Sequence, residues 1–182
     1  MLVNNREILD FWFRETPPER WFSSDPEFDA LIRGKFEESW HRAAEGGVSQ
    51  GHSMEEALAL IILFDQFPRN MFRGTAQAYA TDREAYDVAR AALERGFDLE
   101  APIGIRQFFY LPLMHSESLA DQELCLGLTR ERLGDSHSSC EYALRHRDVI
   151  ARFGRFPARN AALGRASTPE EEDYLRRNPL GF

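Results

Sequence analysis

The sequence predicts an all-α protein, and three observations carry that prediction. Capping residues followed three positions later by an acid recur along the chain. Apolar residues repeat at helical spacing, and no segment alternates with period two over a useful length. Asn-Gly and Asp-Gly, the dipeptides of tight hairpins, do not occur. The marks add up to about seven or eight helices in antiparallel pairs; no strict ~34-residue tetratricopeptide signature repeats, although helical pairs can stack in that manner without it.

The elements follow in order from their caps. Asn4 with Glu7 opens the first, and Asp25 before Pro26 opens the second, with Pro at the first helical position. Ser53 with Glu56, Thr81 with Glu84, Ser118 with Asp121, Ser138 with Glu141 and Thr168 with Glu171 open the rest. In each pair the side-chain oxygen is expected to accept from an orphan N–H of the first turn, with the acid favouring the positive helix end. Expected stops are Gly46-Gly47, Pro68, Gly96, Gly134 and Gly154. Between these marks Phe28, Leu31, Ile32, Phe36 and Trp40 form one stripe. Leu58, Ile61 and Ile62 form a second, and Leu119, Leu124, Leu128 and Leu133 a looser third.

One helix-breaking phrase occurs twice. Phe67-Pro68-Arg69-Asn70 follows the apolar run from Ala57 to Phe64, and Phe156-Pro157-Ala158-Arg159-Asn160 follows Val149 to Phe153. Pro has no N–H and clashes with the preceding turn, so each phrase is expected to stop its helix. Each continues into a Gly beside an Arg, Arg73-Gly74 and Gly164-Arg165, and then to Thr75 or Ser167. Two equivalent corners of one fold are expected, converging on one site.

The chain has 182 residues, enough for one helical domain over 1–182, and its 43% hydrophobic content with 14 Phe supports a packed core. No linker or low-complexity segment divides it. The net charge of −8 argues against nucleic acid and anionic membrane as partners. Lys35 is the one lysine among 22 basic residues, a bias that suits carboxylate or phosphate recognition or reflects a GC-rich genome. Cys125 and Cys140 lack metal-like spacing and suit a reducing compartment. The stretch from Met1 to Phe13 lacks signal-peptide architecture and the longest apolar run falls far short of a ~20-residue span. A cytoplasmic location is the expectation.

Three phrases hold most of the polar information. The first runs Asp65-Gln66-Phe67-Pro68-Arg69-Asn70-Met71-Phe72-Arg73-Gly74-Thr75-Ala76. The second is Tyr110-Leu111-Pro112 leading to His115-Ser116-Glu117, with Asp121-Gln122 soon after. The third is Arg152-Phe153-Gly154-Arg155-Phe156-Pro157-Ala158-Arg159-Asn160. Together they span nearly the whole chain and resemble the bacterial family known as domain of unknown function 924, which groups with tetratricopeptide-like helical proteins. The resemblance implies an all-α fold and brings no activity with it. At Ala158 the chain departs from the family, whose members commonly carry His there, so no base or ligand is carried over to that position.

Each phrase has a functional and a structural reading. Asp65, Arg69, Asn70 and Arg73 form either an anion-binding pocket at a helix break or a corner held by its own ion pairs. His115 with Glu117 is the candidate general acid–base pair, since a carboxylate tunes an imidazole near neutral pH. Ser116 or Ser118 is expected to cap the following helix. Arg155, Arg159 and Asn160 are the pocket candidates of an Arg-rich stretch from Arg145 to Arg165, in which Asp148 is the only acid. The aromatic stripe of Trp12, Phe28, Phe36 and Trp40 reads as core.

No metal site is expected: Glu37 and His41 share a helix face without a third ligand. No cofactor is expected either, because phosphate loops, dinucleotide fingerprints and CxxC are missing from the sequence. The reading that combines these features is a protein with an Arg-lined polar pocket for a small anionic ligand. The alternative is a tetratricopeptide-like scaffold for a protein or peptide partner, without catalysis. Composition and motifs leave catalysis and oligomeric state undecided.

Overall fold

Side-chain caps start most of the helices where the sequence places them. In the computed structural model, which describes residues 4–46, 51–179 and 181, the Asn4 side chain accepts from the Glu7 N–H and opens α1 (Asn5–Asp10). This helix widens into a π turn (Phe11–Glu15), closed by Thr16, whose N–H and hydroxyl both reach the Phe11 carbonyl. Asp25 accepts from two N–H groups at the start of α2 (Pro26–Glu45). Ser53 caps α3 (Met54–Ile61), which passes through a π turn (Ile62–Gln66) into α4 (Phe67–Met71). Then come α5 (Asp82–Arg95) and three single turns, α6 (Phe97–Glu100), α7 (Ile103–Arg106) and α8 (Leu111–Met114). Ser118 caps α9 (Leu119–Leu133), followed by α10 (Ser138–Phe153) and by α11 (Pro169–Arg177), which carries a full capping box from Thr168 and Glu171. The protein is all-α, with no strand among the described residues. No helix there is long and apolar enough to cross a membrane.

The structure corrects several local expectations. Pro68 does not stop its helix: the chain stays helical from Met54 to Met71. The π turn lets the helix absorb a residue that has no N–H to give, because Phe67 already bonds five residues back, to Ile62. The Phe64 carbonyl, four residues before Pro68, instead accepts the Thr81 hydroxyl at 2.7 Å, and that oxygen accepts from Trp40 Nε1 at 3.0 Å. Thr81 is therefore spent on this bridge and makes no side-chain cap for α5. Before α10 the cap is His137, whose Nδ1 accepts from the Ser139 N–H, one residue earlier than the expected Ser138. In the second phrase the helix ends at Gly154, whose φ of 68° favours glycine, three residues before Pro157. Gly96 and Gly134 stop their helices as expected and Gly46 ends α2; Gly47 lies outside the described residues. Leu31, placed in the core stripe by spacing, is 48% exposed.

The chain divides into two compact units, Met1–Pro112 and Leu113–Phe182. The first is built on rings. Phe67 is fully buried and stacks on Phe36 at 4.5 Å, with the edges of Trp12 at 5.6 Å and Phe11 at 6.1 Å around it. The widened turn at Phe11 lets that residue and Trp12, neighbours in sequence, both sink into this cluster. Alongside it α3 packs on α1 and α5, and α2 on α4. In the second unit α9 and α10 pack as a hairpin across a short turn, burying Cys125, Leu126, Ala143 and Ile150. Phe156 joins Val149 and Ile150 in the same core, with Phe153 and Tyr174 against it. Burial pushes the Cys125 thiol up to about 12, leaving it an inert packing group.

Three substitutions check this account. Phe67→Ala removes the central ring of the cluster and is expected to cost about 3–5 kcal/mol in denaturant melts. Thr81→Val strips both the Phe64 carbonyl and the Trp40 N–H of their partner and is expected to cost about 2 kcal/mol or more. Thr81→Ser keeps the hydroxyl and should recover most of that loss.

Candidate functional site

The residues singled out by sequence fall into two clusters, the Asp65–Arg73 phrase in the first unit and the others in the second. In the first, Asp65 is fully buried, 3.1 Å from Arg69 Nη1, and accepts from Gln66 Nε2 at 2.6 Å. Arg69 also donates to the Asp65 carbonyl at 2.8 Å and grips both oxygens of Asp82, at 2.8 and 3.1 Å. Burial works against the Arg69 charge, and Asp65 and Asp82 more than offset it. Asn70 donates to the Gln66 carbonyl and accepts from Arg73 Nη2 at 3.1 Å. Arg73 then holds both oxygens of Asp29, at 2.7 and 2.8 Å.

The same grammar returns in the second unit. Asn160 Oδ1 accepts from Arg165 Nε at 2.9 Å, and the fork of Arg165 grips Glu117 at 2.7 and 2.9 Å. In both copies an Asn positions an Arg, and the Arg takes a carboxylate from a distant segment. Glu117 also accepts the Phe156 N–H at 2.8 Å. Burial raises its carboxyl, but Arg165, that N–H and the nearby Arg159 charge win and hold it below the ordinary range. Its oxygens thus hold the Phe156 backbone and the Arg165 fork.

Arg155 forms the neighbouring clamp. It grips both oxygens of Glu171, at 2.7 and 2.8 Å, and donates to the Ala166 carbonyl. Glu171 also accepts from the Thr168 N–H and from Asn160 Nδ2. The Arg155 hydrogen bond is the main reason its carboxyl sits down at about 2; the Thr168 N–H adds to it against the opposing effect of burial. Arg159 completes the group: it donates to the His115 carbonyl at 2.9 Å and lies 4.4 Å above the Phe156 ring.

One member of this group was not singled out in the sequence. His146, buried on α10, lies edge-on to Phe156 at 5.6 Å and 6.3 Å from the His115 ring. Its Nδ1 meets the Tyr142 carbonyl at 2.8 Å; a carbonyl only accepts, so that nitrogen carries a proton. The one sequence signal was its place three residues after Ala143 and four before Ile150 on the buried face. Ser116 serves the next helix rather than His115: its hydroxyl donates to Asp121 at 2.7 Å and accepts from the Ser118 N–H. No group of three or more metal-ligating side chains forms among the described residues.

A separate open cleft of about 650 Å³ lies in the first unit, between α1, the start of α3 and Ile105. None of the residues expected to form a site lines it.

The clamp at Glu171 has a pH signature. A carboxylate held near 2 in the folded chain but at its ordinary 4.5 when unfolded stabilises the fold above about pH 4.5. That contribution fades as pH falls through the lower value. Glu171→Gln should therefore melt earlier than wild type at neutral pH, with the gap narrowing toward about pH 2 in a denaturant series.

The comparisons with known proteins fit this architecture. A structure of a protein of unknown function from Agrobacterium tumefaciens is 40% identical, with a TM-score of 0.89 over 96% of this chain and 97% of that one. Among curated proteins none matches. The model of a family described as bacterial protein of unknown function matches residues 8–178, and with the phrases above placing their arginines on carboxylates in both units, the chain belongs to that family, DUF924.

Proposed function

We propose that the second unit binds a small anionic ligand, a carboxylate or a phosphate, at Arg159, His115 and His146. One observation carries this reading: two imidazoles and two guanidinium groups gather around a single carboxylate and one phenyl ring, in a chain whose net charge is −8. Glu117 is matched by Arg165, and Arg155 by Glu171, so these pairs build the walls. Arg159, which donates to the His115 carbonyl and lies over the Phe156 ring, adds its charge to the group around Glu117.

Within this reading Asp65, Arg69, Asn70 and Arg73 are the structural counterpart of the site in the first unit. Their charges are matched by Asp29 and Asp82. The other reading, a tetratricopeptide-like scaffold for a protein or peptide, is supported by a different feature, the open cleft of the first unit.

Calorimetry and thermal shift with inorganic phosphate and with succinate test the proposal. Wild type should be stabilised, and Arg159→Ala and His146→Ala should each weaken binding by about tenfold or more, the worth of one charge-assisted contact. Arg159→Lys keeps the charge and should recover part of it, and Arg130→Ala, on an exposed face, should match wild type. Equal responses from all the variants, or none from wild type, overturn the site.

A further inference from the structure

The cleft of the first unit has a composition that the small-anion site does not explain. Its floor is apolar: Leu9 and Phe13 stand four apart on α1 and its π turn, and Met54 and Leu58 stand four apart on α3, with Ile105 beside them. Leu9, Phe13, Met54 and Ile105 are only half-buried, while their sequence neighbours Ile8, Trp12 and Ala57 fill the core below. Two packed helices thus present paired ridges at i,i+4 spacing over an open trough, the geometry that receives the ridges of a third helix.

The walls differ in sign. On the α1 side Arg6 and Arg14 share Asp10, at 3.6 and 3.0 Å, and keep most of their side chains in water. On the α3 side stand Glu55, exposed, and Glu56, which accepts the His52 N–H. One wall is net positive and the other net negative.

We propose that this cleft docks an amphipathic helix of a protein partner, with apolar residues at i, i+3, i+4 and i+7, basic residues on one flank and acidic residues on the other. The charge pattern of the two walls selects that partner, since a helix of uniform sign would meet repulsion along one edge. Length agrees as well: α1 with its π turn covers Asn5 to Glu15, about 16 Å of wall at 1.5 Å per residue, which is about three turns of a docked helix. Met54 at the rim supplies the adaptable contact common in helix-binding grooves. An apolar small molecule would use the floor but leave both charged walls unused.

Fluorescence polarisation with three labelled model helices of about 14 residues tests this. All share one Leu face; one has Lys on one flank and Glu on the other, one has Glu on both, and one has Lys on both. The mixed helix should bind wild type about tenfold more tightly than either uniform one, a difference of about 1.4 kcal/mol. Met54→Asp should abolish binding with the melting temperature unchanged. The Glu55→Lys, Glu56→Lys variant, whose walls are both basic, should shift preference to the helix with Glu on both flanks. Equal affinity for all three helices, no binding by any, or insensitivity to Met54→Asp overturns the proposal. So does a hydrophobic dye that saturates the cleft without displacing the mixed helix. The variants leave Arg159 and His146 untouched, so the outcome is independent of the anion site.

Discussion

The first unit depends on one backbone group that has lost its natural donor. A proline at position 68 cannot supply the N–H that the Phe64 carbonyl would receive in an α-helix, and a buried carbonyl left unpaired is costly. The chain meets the demand from outside the helix: Trp40 donates to Thr81, and Thr81 donates to Phe64. That relay joins α2, the Met54–Met71 helix and the start of α5 at one point. It lets the helix run on through Phe67, so the ring that follows the π turn lands between Phe36, Trp12 and Phe11. Had the helix stopped at Pro68, Phe67 would have begun a loop and the aromatic cluster would have lost its centre.

Arginine does comparable work after both proline phrases. After each proline phrase an Asn carbonyl oxygen takes one N–H of an Arg, orienting its fork toward a carboxylate far away in sequence, Asp29 for Arg73 and Glu117 for Arg165. A planar guanidinium has donors enough to serve the Asn, both carboxylate oxygens and a nearby backbone carbonyl at once. Arg165 also reaches the Phe156 carbonyl, and Arg73 the Ser23 carbonyl. Lysine has the charge without the fork, which is a physical reason for so arginine-rich a chain.

Much of the helical framework was legible because its signals are local. A cap and its N–H lie within three residues, so Asn4, Asp25, Ser53, Ser118 and Thr168 announce their helices. Thr81 and Ser138 misled for the opposite reason: a hydroxyl has several possible partners, and the choice belongs to residues elsewhere. The π turns carried no readable pattern, since they are set by how many rings must fit in one place. At the candidate site, Asp65, Arg69, Asn70, Arg73, Arg155, Arg159 and Asn160 stood out by type. Their partners Asp29, Asp82 and Glu171 did not, because charge matching across 13 to 44 residues leaves no spacing rule. His146 was hidden among apolar neighbours on the buried face of α10.

The small residue at position 158 is matched by the packing around it. Ala158 sits between Pro157 and Arg159, and Gly181 packs against it so closely that a side-chain carbon on Gly181 would lie 2.7 Å from the Ala158 methyl. Gly181 also holds φ at 87°, a conformation that favours glycine. Two small residues therefore meet where a larger side chain at position 158 would need the space Gly181 fills. Backbone packing fills that space, and the imidazoles of this unit's polar cluster, His115 and His146, both precede Phe156 in sequence. The corner thus joins the closing segment, through Arg159, to the loop before α9 and, through the Phe156 ring against His146, to α10.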